Sequence, residues 1–279
     1  MSSNRNEKGN YAFVSIITSD DYLPGLLVLN KSFVDTNTKY PFLLLITKDI
    51  SAGTISTLDK YQIPHKTFEM EINNPTNVDQ SHRWFSTYSK LNVFDQTQYD
   101  KVVYLDADML ILRNIDELFE HKHMSAVIAG GMLPGKSLRR HLNSGIFVLE
   151  PSRKLFEDMI NKMGKIEKLE SGGSINKPRH GSDQNFLNAY YPDWPSKKEL
   201  HLDHKYNILH YLLDEYNKSF AYSIGDGPKP ISIIHYASYL KPWDVDEKIK
   251  EELKGDRNKA LELRSILLWQ DMYKSATNN

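Results

Sequence analysis

Apolar residues recur along this chain in short blocks set between polar turns. YAFVSIIT at 11–18 is nearly continuous and rich in β-branched and aromatic residues, which predicts a buried first strand. A turn at 19–24 leads into GLLVLNKSFV at 25–34, whose apolar spacing is helical. PFLLLIT at 41–47 predicts a second buried strand. A helix is expected over 51–61 with Ser51 as its N-cap, then a short strand at 65–70. Strand and helix alternating with short connections imply a parallel, doubly wound sheet. Further on, 87–94 reads as a helix and KVVYL at 101–105 as a strand ending at Asp106. Strands are expected at 125–129 and 144–149, and a helix at 152–163. The polar, glycine-rich stretch 165–179 reads as a mobile loop, and a helix starts at Asp183. Residues 192–227 read as irregular, 231–235 as a late strand. From Asp246 the chain turns charged with helical spacing at Leu261, Leu263, Ile266, Leu267 and Trp269, which predicts a helical tail.

Composition narrows this picture. The 279 residues are 40% hydrophobic and 25% charged, enough for a full core without staples and unlike a disordered chain. Lys and Arg number 35 against 36 Asp and Glu, so bulk attraction to nucleic acid or anionic membrane is not expected. There is no cysteine, which excludes disulfides, thiolate metal sites and a thiol nucleophile. The polar first ten residues lack the apolar core of a signal peptide. No apolar run approaches the ~20 residues of a membrane span. A flexible segment 1–10 and a cytoplasmic location are the expectations.

The strongest local chemistry is Asp106-Ala107-Asp108 at the end of an apolar strand. Residues two apart share a face of an extended backbone, so the two carboxylates repel unless a cation sits between them. A hard divalent ion that also binds phosphate oxygens meets that need, at the strand end where open α/β sheets bind ligands. Two solvated acids are the plain alternative. A phosphatase-type aspartate nucleophile is a third reading, disfavoured because Met109 and Leu110 follow where a small turn residue and a hydroxyl belong. GGMLPGKS at 130–137 matches G-x-x-x-x-G-K-[ST], but only about two turns of helix fit after it, too few to anchor a phosphate. A P-loop nucleotide hydrolase using Lys136 and Asp106 is therefore the runner-up. His235 ends a strand and is followed by Lys241-Pro242-Trp243, an imidazole for a metal and an ammonium for a phosphate. His201 and His204 lie in an irregular segment and read as structural.

Five stretches in order carry a resemblance: FVSIITSDDYLPGLLVL (13–29), YSKLNVFDQTQYDKVVYLDADMLILRNIDELFE (88–120), LNSGIFVLEPS (142–152), GSDQNFLN (181–188) and HYASYLKPW (235–243). Together they resemble the glycogenin-type retaining glycosyltransferases of family 8. The resemblance implies a GT-A fold, a Rossmann-like, mostly parallel mixed sheet flanked by helices. It places the catalytic domain at 11–245 and leaves 246–279 as a helical tail, packed on the domain or forming a homodimer contact. It implies a hexose, glucose or galactose, moved from a UDP-sugar to a hydroxyl of a protein or glycan, with Mn²⁺ or alternatively Mg²⁺. By it, Asp106, Asp108 and His235 are the metal ligands and Lys241 meets the diphosphate. Ile16, Thr18 and Tyr22 fall where the family holds uridine, with Tyr22 stacking on the base. Lys90, Asn143, Ser144, Asp183 and Gln184 surround the donor sugar, with Lys90, Asp183 and Gln184 taking the catalytic roles. Ala107 and Ser238 are further donor contacts, and Arg83 is one by a looser match. Two departures stand out: Ser238 replaces a frequent glycine, and His180 stands where glycogenin has a second aspartate. A domain that binds a sugar nucleotide without transferring it is the non-enzymatic alternative.

Overall fold

A computed structural model of the chain describes residues 9–68, 70–72, 87–129, 133, 141–170 and 182–278, with the backbone alone for 164–170. The first half alternates as the periodicity predicts: β1 (Tyr11–Ile17), α1 (Leu23–Asp35), β2 (Phe42–Ile46), α2 (Ala52–Lys60) and β3 (His65–Thr67). Ser51 caps α2, its Oγ accepting from Thr54 N at 3.2 Å. There follow β4 (Lys101–Leu105), β5 (Met109–Ile111), β6 (Ala126–Ile128), β7 (Leu142–Leu149), α3 (Arg153–Glu170) and α4 (Asp183–Tyr190). The last part holds β8 (His201–Leu202), β9 (Ile208–Leu209), α5 (Leu213–Phe220), β10 (Tyr222–Ser223), β11 (Lys229–Pro230), β12 (Ile233–His235), α6 (Glu247–Gly255) and α7 (Ala260–Thr277).

The main sheet has seven strands in the order β3-β2-β1-β4-β7-β6-β8. β3, β2, β1 and β4 run parallel, and β7 runs antiparallel to both β4 and β6. Chain order reverses at β1, between β2 and β4, which opens the crevice where doubly wound sheets bind ligands. Because β7 is antiparallel, its N-terminal end reaches the same edge as the C-terminal ends of β1 and β4. Alternate residues feed two cores. Phe13, Val103, Leu105, Ile146 and Val148 pack on one face, and Val14, Val102, Tyr104, Phe147 and Leu149 on the other. Burial on both faces is why these strands read as continuous apolar runs.

Several elements differ from expectation. The helix at 87–94 is a 3₁₀ helix, Thr87–Asp95, with Tyr88 through Phe94 all buried. Packing on every side, with the Asn92 amide bonded to Ser89 O, replaces the one-faced burial that favours a regular α-helix. The helix from 153 continues to Glu170, into the stretch read as a loop; the rest of that stretch lies outside the described residues. The late strand begins at Ile233, since Ile231 N and Ser232 N bond to Ser223 O and Lys205 O instead. β5 was not expected. It pairs antiparallel with β12, and β9 pairs parallel with β12, forming a second sheet of three strands. The tail is two helices. Ile266 and Trp269 of α7 join Val28, Leu110, Ile234 and Tyr236 in a third core, while Leu267, read into the same stripe, is 42% exposed. No helix among the described residues is long and apolar enough to cross a membrane.

Candidate active site

The strand edge delivers the chemistry to one cavity of about 330 Å³. β1 and the turn after it contribute Ile16, Thr18 and Tyr22. The end of β4 contributes Asp106, Ala107 and Asp108, and the start of β7 contributes Asn143 and Ser144. Lys90 comes from the buried 3₁₀ helix, Asp183 and Gln184 from the first turn of α4, and His235 and Lys241 from β12 and the loop after it. Ser182 caps α4 through Asn185 N at 3.3 Å, which places Asp183 at a helix N-terminus that favours its charge. Ser238 is not among the lining residues; its Oγ donates to Leu240 O at 2.6 Å and shapes the turn that carries Lys241. Arg83 lies outside the described residues, as does the 130–137 glycine segment save Leu133, which is buried in the core.

Two ionic clusters share the cavity. In the first, Lys90 Nζ lies 3.0 Å from Asp106 Oδ1 and 2.8 Å from Asp183 Oδ2. Ser144 Oγ donates to the same Asp183 oxygen at 2.8 Å. Burial works against the charge of Lys90, but Asp106 and Asp183 outweigh it and hold the ammonium above the usual lysine range. In the second, Asp108 Oδ2 accepts from Lys241 Nζ at 2.6 Å, and Asp108 Oδ1 lies 3.1 Å from His235 Nε2. Burial opposes the Asp108 carboxylate, yet His235 and Lys241 together hold it well below the usual range. Asp106 moves the other way. Burial raises it, Lys90 and His235 pull against burial, and Asp108 and Asp183 push it up again.

Asp106, Asp108 and His235 are the one group of this kind among the described residues, with ligand atoms within 4.8 Å of one another. His235 Nε2 is 3.6 Å from Asp106 Oδ2 and 3.1 Å from Asp108 Oδ1. Donors bound at about 2.1 Å to an octahedral ion lie about 3 Å apart at right angles, so the spacing suits such an ion. Two carboxylates and an imidazole without thiolate suit Mn²⁺ or Mg²⁺. His201 and His204 do not join the cluster. His201 stacks against Trp194 at 4.4 Å between ring centres, and His204 tilts on Tyr216.

Sequence reading missed three supporting residues. Tyr104 donates from its hydroxyl to Asp106 Oδ1 at 2.6 Å; strand alternation, which puts residues 104 and 106 on one face, contained that signal. Gly145 sits under the His235 ring, where a Cβ would lie 2.5 Å from Cε1. Asn207 bonds His235 Nδ1 at 2.8 Å from 28 residues away, and nothing local in the sequence marks it.

The family described as Glycosyl transferase family 8 matches residues 13–132 and 134–247. The chain belongs to that family. Among similar proteins, inositol phosphorylceramide glucuronosyltransferase 1 of Arabidopsis thaliana is 30% identical over 254 residues, 85% of this chain and 43% of that one. Protein R707 of Acanthamoeba polyphaga mimivirus is 28% identical over 87% of each chain, and rabbit (Oryctolagus cuniculus) glycogenin-1 is 27% identical over 95% of this chain and 76% of its own. The chain thus spans less than half of the plant enzyme's length but most of the viral protein's. A crystal structure of galactosyltransferase LgtC with donor and acceptor sugar analogs shares the fold, with a TM-score of 0.61 at 18% identity over 95% of this chain and 96% of that one. Family 8 membership and the GT-A fold, both implied by the sequence resemblance, are therefore established.

Proposed function

We propose that the chain is a metal-dependent retaining hexosyltransferase that moves a hexose, glucose or galactose, from a UDP-sugar to a hydroxyl of a protein or glycan. The observation that carries this reading is the meeting of Asp106, Asp108 and His235 with Lys241 in one cavity, where Lys90 joins Asp106 to Asp183. Asp106 Oδ2, Asp108 Oδ1 and His235 Nε2 would hold the ion, which supplies positive charge to the departing diphosphate. Lys241, now bound to Asp108 Oδ2, is placed to neutralise a phosphate oxygen as well. Ile16, Thr18 and Tyr22 form the uridine end, with the Lys241 ammonium 5.6 Å from the centre of the Tyr22 ring. Asn143 and Gln184 line the sugar end.

Asp183 is placed near the anomeric carbon, which becomes oxocarbenium-like as the bond to phosphate breaks. Two routes use it. In a double displacement a carboxylate oxygen bonds the anomeric carbon as the diphosphate leaves with the electron pair, and the acceptor oxygen later replaces it. In a front-face reaction the carboxylate only stabilises the developing charge. In both, Lys90 and Ser144 fix the position of Asp183 Oδ2.

The test is UDP-sugar hydrolysis with Mn²⁺, using UDP-glucose, UDP-galactose and, because three plant relatives carry glucuronosyltransferase names, UDP-glucuronate. Intact mass of the protein afterwards reads self-glycosylation as hexose steps. Turnover should stop on chelation and in Asp108→Asn. Full activity of Asp108→Asn with Mn²⁺ sinks the metal assignment. In Asp183→Asn the donor should still bind while transfer falls at least about a hundredfold; loss of donor binding instead makes Asp183 a binding residue.

A further inference from the structure

An imidazole binds a metal only through a nitrogen that carries no proton, so the other nitrogen must hold one. His235 turns Nε2 toward Asp106 and Asp108, and Nδ1 away from them toward Asn207 Oδ1 at 2.8 Å. Which nitrogen keeps the proton depends on what Asn207 presents. A side-chain amide has an acceptor end and a donor end of nearly the same shape, and a half-turn exchanges them. The orientation of Asn207 therefore has to be set by something that cannot reverse.

That element is the backbone N–H of Gly145. It lies 2.8 Å from Asn143 Oδ1, and an N–H can only donate, so Asn143 must offer its oxygen. Asn207 Nδ2 lies 2.8 Å from the same oxygen. Asn207 consequently turns its NH₂ to Asn143 and its oxygen to His235. The polarity runs from one irreversible donor through two amides and ends with Nδ1–H of His235 as a donor. Asn207 is 4% exposed and His235 3%, so water does not substitute for either partner. Gly145, lacking a Cβ, lets the His235 ring come close to the backbone, since a Cβ there would lie 2.5 Å from Cε1 and 2.8 Å from Nδ1.

We infer that Asn207 is a positioning residue of the metal centre: it holds His235 in the Nδ1–H tautomer with the Nε2 lone pair aimed between Asp106 and Asp108. The inference rests on the metal reading above. Asn207 does not line the cavity and acts through its bond to His235. It also gives Asn143 a second task beside lining the sugar pocket, as the amide that transmits the polarity of the Gly145 N–H.

The experiment measures Mn²⁺ binding from the electron paramagnetic resonance signal of the free ion, in wild type, Asn207→Ala and Asn207→Asp. Ala removes the acceptor; Asp keeps one for Nδ1–H while losing the NH₂. The expected result is a loss of at least about tenfold in Mn²⁺ affinity for Ala and retention within about threefold for Asp. Wild-type affinity in Asn207→Ala overturns the inference. So do equal losses in both variants, which mark a packing role alone. A second measurement needs no variant of Asn207. In ¹⁵N-histidine-labelled wild type, a long-range ¹H–¹⁵N spectrum reports the tautomer of His235, assigned among ten histidines by its loss in His235→Gln. A proton on Nδ1 is expected, and its absence there overturns the inference. Failure of the metal reading looks different: wild type itself takes up no Mn²⁺, while the tautomer still decides the role of Asn207.

Discussion

Asp106 divides its two oxygens between two tasks. Oδ1 takes the Tyr104 hydroxyl at 2.6 Å and the Lys90 ammonium at 3.0 Å, which leaves Oδ2 toward His235. Burial, followed by the charge of Asp106, raises the Tyr104 phenol well above its ordinary value, so it stays a donor across the working pH range. Tyr104→Phe keeps the ring in its buried stack against Phe147 and removes only this bond. The expected outcome is a drop of about tenfold in Mn²⁺ affinity and about 2 kcal/mol in stability, read by metal titration and urea unfolding. Unchanged metal affinity with reduced stability would assign Tyr104 to the fold alone. Asp106 was legible from D-x-D, and Lys90 only from the family resemblance. Their hydrogen-bond partners were not, because a neutral donor such as Tyr104 looks like any other core aromatic until its neighbour is known.

Register decides the site among the elements. β12 pairs with β5 so that His235 stands opposite Met109, one residue past Asp108. That antiparallel pairing closes a loop of more than a hundred residues, which no local pattern encodes. β7 pairs with β4 so that Ile146 faces Leu105, and Gly145 O accepts from Asp106 N at 2.9 Å. The glycine is required by space. A Cβ there would lie 2.5 Å from His235 Cε1 and 2.9 Å from Asn143 Oδ1. Gly145→Ala should push the imidazole off its aim, costing about 1–3 kcal/mol of stability and at least about tenfold in Mn²⁺ affinity. Gly53 in α2 is the control, where an added Cβ meets only Ser51 Oγ at 3.8 Å. Gly53→Ala should leave metal binding unchanged and stabilise the helix by about 0.5–1 kcal/mol. A wild-type metal titration curve for Gly145→Ala would show that the ring has room after all.

Across the whole molecule, the tail is part of what holds the Lys241 end of the cavity. Trp269 of α7 packs on Trp243, and Gln270 donates to Pro242 O and Val245 O at 3.0 Å each, so α7 braces the loop that begins at Lys241. His210 sits at the same junction, between Ser238 and Glu262 of α7. Burial pulls it from 6.5 down to about 4; a hydrogen bond to the His235 backbone opposes this, and the nearby charges of the His235 side chain and Lys241 add to the lowering. The unfolded chain therefore binds a proton that the folded chain refuses between those values. The stability tied to neutral His210 is full above pH 6.5 and is lost as pH falls toward 4. Half-buried His123 and His204 are lowered by desolvation as well and act in the same direction. Urea unfolding at pH 7 and pH 4 should show wild type losing roughly 3 kcal/mol more than His210→Gln over that interval. Equal losses would mean that His210 takes up its proton without unfolding.

Local pattern was enough for the strands and helices from β1 to β3, because buried parallel strands are continuous apolar runs and each helix carries its own cap or stripe. It also singled out Asp106 and Asp108 as paired carboxylates at the end of an apolar strand and raised His235 and Lys241 as a candidate imidazole and ammonium, while Lys90 and Asp183 came from the family resemblance. Tertiary structure alone decided that these six share one cavity, that Ser238 serves the loop and does not line the pocket, and that α7 belongs to the core. It alone supplied Tyr104, Gly145 and Asn207. Their roles are hydrogen-bond polarity and close approach between segments distant in sequence, and such properties exist only once the chain has closed on itself.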